Sequence, residues 1–502
     1  MGGAQVLCIG SLWRNRGSEG DEIVANRSLL AVVLATALLS SGAAPAFDPK
    51  PWLDDLSQMR EAFATKYANL EFEILDREID LDALFADTRA RIEAAGGQAD
   101  ARAAFDRLIR KVDDGHVELH WPKPPSAPAD SGPPDLCKSA GYDAAMFAPP
   151  VAALAPGYRS ISAPAEFPSG TLEAHGHKIG VIKIGLFMSH ATPALCADAL
   201  VALSIDPKKP CNDACRDRID DWADAKLTAD LETALRAIDA AGAEALLVDI
   251  ARNGGGSEWA DAVVREMTPH PIRFARMTFV RGEHWVKEFE QTAADLRAAA
   301  KGATPDDRAF LLKLAGEADA KRKVAQAPCD SAPIWKRRKP SCSWLGDGFY
   351  ESGLIPVDDP AHLDGKPWAR LVIDADEYPS HQGVWTKPLI VLIDAYTGSA
   401  SSRFAATLHD NHAAALIGEP AEFGGGHTDG GTPVTLANTK AVLVLPDCDG
   451  VRADGTDESD GVVPDIVVRF APGDGPHRKA ARILEKLPEA FVRAQQLASQ
   501  AH

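Results

Sequence analysis

Positive charge is what this sequence is shortest of. Its 502 residues hold 53 lysines and arginines against 72 aspartates and glutamates, a formal net charge of −19. No basic stripe offsets the balance; Lys336-Arg337-Arg338-Lys339 is a short cluster of the kind a solvated loop carries. Nucleic acid and anionic membrane surfaces are therefore poor partners. Long apolar runs are missing too. Beyond residue 46 nothing approaches the roughly 20 residues of a membrane helix, so stable membrane insertion is not expected. No internal repeat is evident.

What remains is ordinary globular composition, 45% apolar and 25% charged, in a chain long enough for two or more modules around a large core. Arg27 is followed by an 11-residue apolar segment, Leu29 to Leu39, and then by Ala44-Pro45-Ala46 and Phe47. That is the order of a secretory signal with an A-x-A cleavage site, and the segment is too short to span a membrane. Residues 1–46 are expected to be a leader and signal peptide cleaved near Ala46, leaving a soluble periplasmic or secreted bacterial protein. An unprocessed amphipathic or buried helix is the alternative. Of eight cysteines, Cys8 would leave with the signal. The remaining odd number leaves at least one free or intermolecular thiol, and export makes disulfides plausible. Cys211/Cys215 and Cys329/Cys342 are nearest neighbours, but pairing does not follow from sequence. Cys211-x-x-x-Cys215 without nearby histidines is a poor metal site.

Residues 47–120 read as a small helical module. Leu56, Met59, Phe63, Tyr67 and Leu70 recur at helical spacing, as do Leu81, Leu84, Phe85 and Ile92, and then Phe105, Leu108, Ile109 and Val112. Residues 121–177 are rich in proline and small residues and read as an irregular linker with short strands. From 178 to 475 the pattern is α/β: strands at Ile179–Leu186, Ala245–Ile250 and Leu389–Ile393, a helix over Leu227–Ala241, a hairpin around Asn438 and a late strand at Pro464–Val468. A charged, alanine-rich helical insertion occupies about 288–326, and 476–502 reads as a C-terminal helix.

One serine stands out. The apolar strand Leu389–Ile393 runs through Asp394-Ala395-Tyr396-Thr397-Gly398 into Ser399-Ala400-Ser401-Ser402 and a helical pattern. Strand, tight turn, serine and helix lift a hydroxyl above a sheet and aim helix amides at it. A plain N-cap uses the same residue types. Three further segments bear on that choice, because a serine nucleophile needs a base and oxyanion donors. Asp249-Ile250-Ala251-Arg252-Asn253-Gly254-Gly255-Gly256 takes a buried strand into three glycines. It lacks the lysine of a P-loop and the spacing of a dinucleotide fingerprint, and suits an oxyanion hole from Gly254 or Gly255, joined by the Ala400 amide. His116, after Asp113-Asp114-Gly115, is a candidate general base. Glu458, in Asp457-Glu458-Ser459-Asp460-Gly461, is a candidate carboxylate to orient it; its neighbours do not match EF-hand spacing.

Taken in order, these pieces resemble the tail-specific (carboxyl-terminal-processing) serine peptidase family, which includes the tricorn protease core and the interphotoreceptor retinoid-binding repeats. Asp114-Gly115-His116, Ile179–Leu186, Asn253-Gly254-Gly255-Gly256, Gly398-Ser399-Ala400-Ser401, Leu408-His409-Asp410-Asn411, Ile417-Gly418-Glu419 and Gly461-Val462-Val463-Pro464-Asp465-Ile466 carry the likeness. It implies a ClpP/crotonase-like α/β core behind an N-terminal helical module. Tail-specific members pair the serine with a downstream lysine; here that neighbourhood reads Glu422-Phe423-Gly424-Gly425-Gly426-His427. The tricorn-like branch, with serine, distant histidine and glutamate, is the better match, and implies Ser399, His116 and Glu458 as the catalytic residues. Gly115 stands where that branch has an additional serine, so a triad is expected rather than a tetrad. Residues 122–177 are too few and too proline-rich for the PDZ domain that reads substrate tails.

The resemblance thus implies an exported serine endopeptidase acting on peptide or unfolded protein through an acyl-enzyme. Its chemistry needs no cofactor and no metal. His427 is a reserve base. The alternative is a catalytically silent binder of peptide or hydrophobic ligand on the same fold, and Arg403, where the family usually has glutamate, leans that way. Oligomeric state does not follow from the sequence.

Overall fold

The N-terminal helices form where apolar residues recur on one face. The computed structural model describes residues 47–123, 135–143, 149–421, 426–428, 431, 433–471 and 473–500. The expected signal, parts of the Pro-rich linker and Glu422-Phe423-Gly424-Gly425 lie outside them. Helix Lys50–Lys66 has proline in its first turn and buries Leu56, Met59 and Phe63. Helix Leu81–Glu93 is capped by Asp80, whose carboxylate accepts from Ala83 N at 2.9 Å. Helix Gln98–Val112 buries Ala101, Ala104, Phe105 and Leu108, and Asp113 ends it in the left-handed region at φ 58°.

The main sheet has seven strands. From edge to edge they are Ile466–Val467, Ala415–Gly418, Leu389–Ile393, Ala245–Asp249, His177–Lys183, Ser169–Ala174 and Tyr158–Ser160. The first five are mutually parallel, Ser169–Ala174 is antiparallel to its neighbour His177–Lys183, and Tyr158–Ser160 is antiparallel to Ser169–Ala174. Both faces are covered. Leu389, Val391 and Ile393 join the core under helices Asp213–Ala240, Trp259–Glu266 and Ala400–Asp410. Ile390 and Leu392 point the other way, into a second core closed by helix Pro476–Gln500. This double burial is why the central strands read as unbroken apolar runs. It is the α/β class, with a helical N-terminal module, that the sequence led us to expect.

Smaller sheets tie distant segments together. Glu118–His120, just after the helical module, pairs antiparallel with Val442–Val444, which pairs with Val434–Thr435. The turn of that hairpin is gripped by Asp55, fully buried on the first helix. Its carboxylate accepts from Asn438 N at 2.9 Å, Thr439 N at 2.7 Å and both side chains. The expected insertion is a helical hairpin, Glu283–Ala300 and Pro305–Gln326, whose Trp285, Phe289, Leu311 and Leu314 belong to the main core. Among the described residues three disulfides join Cys137 to Cys196, Cys211 to Cys215 and Cys329 to Cys342; Cys448 is buried, its Sγ donating to His427 O at 3.3 Å. No helix among the described residues is long and apolar enough to cross a membrane.

Candidate active site

Adjacent parallel strands end side by side, and the two turns that follow them meet. After Ile393, Asp394 organises the first turn: its backbone N donates to Thr397 Oγ1 at 3.0 Å, and its Oδ1 accepts from Tyr396 N and from Arg252 N of the neighbouring turn. Ser399 then adopts φ 51° and ψ −132°, a region rarely used by residues other than glycine, which costs on the order of 1–3 kcal/mol. Helix Ala400–Asp410 starts at once. The Ser399 side chain makes no capping hydrogen bond, so it is not a plain N-cap. Ser401 does the local work instead: its Oγ accepts from Gly398 N at 3.0 Å and lies within hydrogen-bond reach of Asn253 O.

The glycine turn leans directly on the serine. A Cβ on Gly255, at φ 114°, would lie 2.7 Å from Ser399 Cβ and 3.0 Å from Ala400 N. Only glycine permits that approach. The Gly255 N–H, however, donates to Asn253 Oδ1 at 2.9 Å. Gly255 is therefore corrected from oxyanion donor to spacer, because its amide is already consumed. The N–H groups of Gly254 and Ala400 have no acceptor among the described residues.

The imidazoles come from elsewhere. Asp114 shapes the loop that carries His116, accepting from Tyr67 Oη at 2.7 Å, Asn69 Nδ2 at 3.0 Å and His116 N at 2.8 Å. His427 is fixed through its backbone, its N donating to Cys448 O at 2.9 Å. The two rings meet edge to face with centroids 5.5 Å apart. Glu458, 2% exposed, contacts His427, Nε2 to Oε2 at 3.3 Å. Glu458, expected to orient His116, thus contacts His427, whose ring in turn meets that of His116. The reason is topological: the strand Cys448–Val451 and the turn at Glu458–Asp460 pack together beneath His427.

A further carboxyl joins them. Glu351, directly after strand Leu345–Tyr350, lies against Glu458 and Gly450; a Cβ at 450 would stand 1.7 Å from Glu351 Oε1 and 2.8 Å from Glu458 Oε2. Burial, and then the Glu458 charge, push Glu351 well above the carboxylate range. Burial also works to raise Glu458, but hydrogen bonding and charge from His427, a hydrogen bond from Glu351 and the Arg403 charge outweigh it and hold it low. The pair thus pushes Glu351 towards the protonated form and Glu458 towards the anion. Arg403 connects this cluster to the serine. Its N donates to Ser399 O at 3.0 Å; its guanidinium donates to Glu351 O at 3.2 Å and to buried Asp261 Oδ2 at 3.0 Å. The arginine noted as a departure is a charge-compensated brace. Glu351 escaped the sequence reading, and nothing in Gly348-Phe349-Tyr350-Glu351-Ser352 marks it out.

The model of peptidase family S41 matches residues 218–468, half of this chain. A protein of Chlamydia pneumoniae, CPj1016/CpB1054, is 30% identical over 243 residues, 46% of this chain and 34% of that protein. The chain thus spans about a third of the length of the curated relative it matches. Among solved structures, mature CPAF is 14% identical with a TM-score of 0.55, covering 90% of this chain and 98% of CPAF. Mature CPAF complexed with lactacystin is 15% identical with a TM-score of 0.53, covering 90% and 99%. Likenesses at that identity concern the fold.

Proposed function

This chain belongs to peptidase family S41, a family of serine-type peptidases, and from that premise we propose that it is an exported endopeptidase whose nucleophile is Ser399. The observation that carries the proposal is the strained, uncapped Ser399 at a helix start, pressed on Gly255, with the unengaged Gly254 and Ala400 amides nearby. His116 takes the Ser399 proton as Oγ attacks the peptide carbonyl carbon. The Ala400 and Gly254 N–H groups bind the oxyanion, each such donor lowering the barrier by roughly 3–4 kcal/mol. His116 returns the proton to the leaving amine, and water, deprotonated by the same imidazole, releases the acyl group. The anionic Glu458, through His427, stabilises the imidazolium that His116 becomes.

Substrates are peptides or unfolded proteins. Export is supported by the apolar segment Leu29–Leu39 before Ala44-Pro45-Ala46 and by three disulfides, which persist in oxidising compartments. The test is covalent labelling of the purified protein by a fluorophosphonate, followed by peptide mapping. Adduct on Ser399, with Ser399→Ala lowering hydrolysis about 10³-fold or more at unchanged circular dichroism, is the expected result. Full activity in Ser399→Ala would reject the assignment.

A further inference from the structure

Three side chains of metal-ligand type converge behind His116. Glu351, His427 and Glu458 each direct one ligand atom to a common point, and these atoms lie within 4.8 Å of one another. They arrive from three separate segments: the end of the strand after the helical insertion, the loop before the hairpin, and the turn at Glu458–Asp460. The backbone leaves room for them. Gly450 has no side chain at the point where a Cβ would overlap Glu351 Oε1 and crowd Glu458 Oε2.

Ordinary packing links the Glu351 and Glu458 carboxyls to each other but gives the buried Glu351 Oε1, which faces the space beside Glu458, no donor from the rest of the protein. The buried Arg403 guanidinium donates to the Glu351 backbone carbonyl and to Asp261. Two carboxyls and an imidazole in a desolvated site require a proton or a metal between them. For bonds of about 2.0–2.2 Å, a tetrahedral zinc site sets its ligand atoms about 3.3–3.6 Å apart. His427 Nε2 and Glu458 Oε2 already stand at 3.3 Å. Imidazole with two carboxylates favours Zn²⁺ over Ca²⁺ or Mg²⁺, which prefer all-oxygen sets.

We propose that Glu351, His427 and Glu458 form a Zn²⁺ site, with a fourth position open to water or to His116, through which the metal reversibly inhibits the enzyme. Zinc takes both the charge and the hydrogen bond that Glu458 offers His427. It also places two positive charges behind the imidazole that must become cationic during acyl transfer. The inhibitory half rests on the peptidase reading; metal capture does not.

The two halves are tested separately. Full-length, chelator-treated Ser399→Ala protein is titrated with ZnCl₂ by calorimetry, so that binding is read without turnover. One site of micromolar or tighter affinity is expected, weakened at least tenfold in Glu351→Gln and in His427→Ala. Affinity should be unchanged in His120→Ala and His177→Ala, which remove the surface histidine–glutamate pairs His120–Glu118 and His177–Glu244. No heat, or affinity indifferent to both site variants, overturns the site and leaves a shared proton as its occupant; if Glu351→Gln fails to fold, His427→Ala decides. With the active protein, ZnCl₂ should slow fluorophosphonate labelling at least tenfold and EDTA should restore it. Labelling unaffected by bound zinc overturns the inhibition alone, whereas no labelling with or without chelator speaks against the peptidase reading alone.

Discussion

The nucleophile side and the base side of this site are built in opposite ways. Ser399, Ala400 and the glycine turn are each set within a few residues of a central parallel strand, and the two turns are joined by short backbone contacts such as Gly398 N to Asn253 O at 3.1 Å. The base side is gathered from the helical module, the hairpin, the strand after the insertion and the turn at Glu458–Asp460. No two of its groups are near in sequence. The first half is as rigid as the sheet; the second is only as well placed as the contacts that bring distant segments together. Damage to the two should look different: local and catalytic on one side, remote and structural on the other.

Gly255→Ala should give the largest effect of that first kind. The new methyl would stand 2.7 Å from Ser399 Cβ, and alanine is strained at φ 114°. Serine and the Ala400 amide must shift, and since a misplacement of about 1 Å costs about 10²-fold, a loss of about tenfold or more in kcat is expected. The 5.5 Å contact between the imidazoles should persist, so zinc affinity in this variant should match the parent. A normal kcat in Gly255→Ala would contradict the tight seating of the nucleophile.

Asp55→Ala should show the second kind. Asp55 touches no candidate site residue, yet it holds the hairpin turn whose strand pairs with Glu118–His120, just beyond His116. Its loss removes the charged acceptor of part-buried hydrogen bonds from Asn438 and Thr439 and should cost about 2–3 kcal/mol, read as a lower urea midpoint. Activity should fall severalfold at temperatures where the protein remains folded. Fluorophosphonate labelling that slows in step with turnover would show the loss to lie in acylation. Unchanged stability would mean that the hairpin is held by other contacts.

The same contrast explains what was legible in the sequence. Leu389–Ile393 and Ala245–Asp249 were readable because burial on both faces leaves unbroken apolar runs, and Ser399 because its turn lies within that local pattern. Which glycine amide stays free was not readable: only the fold shows Asn253 Oδ1 occupying Gly255 N–H. Glu458 was recognisable as a carboxylate in the right place but not as the partner of His427. That pairing depends on how a hairpin, a bridge at Cys448 and a short turn pack, which no spacing encodes. Glu351 was invisible for the same reason. It reaches the cluster through the path of a strand after a long insertion, not through a motif.

The smallest expected effect lies in the pH dependence of the nucleophile helix. His409, in its last turn, stands 3.5 Å from Asp410 Oδ1 and 3.7 Å from Asp465 Oδ2, with Arg452 Nη2 also facing its Nδ1 at 3.4 Å. The Asp410 and Asp465 carboxylates raise its pKa from 6.5 to about 9 despite burial and Arg452. A raised basic pKa stabilises the fold fully below the unfolded value near 6.5; the gain falls as pH rises and is gone above about 9. Asp465, held at about 2 by His409, Leu416 N and Arg493 against the effect of burial, works in the opposite sense: its contribution is present above the unfolded value near 3.8 and is lost as pH falls towards 2. The pair is strongest between those limits. His409 is about a third exposed, so solvent screening should reduce its share to ~1 kcal/mol. His409→Gln should therefore lower the melting temperature by a few degrees at pH 6 and converge on the parent by pH 9.5. The base side, whose Glu458 anion is kept ionised by its neighbours, should show no such alkaline loss when Glu458→Gln is compared over the same range. A difference between His409→Gln and parent that stays constant from pH 6 to 9.5 would remove the imidazolium from this account and leave His409 as packing.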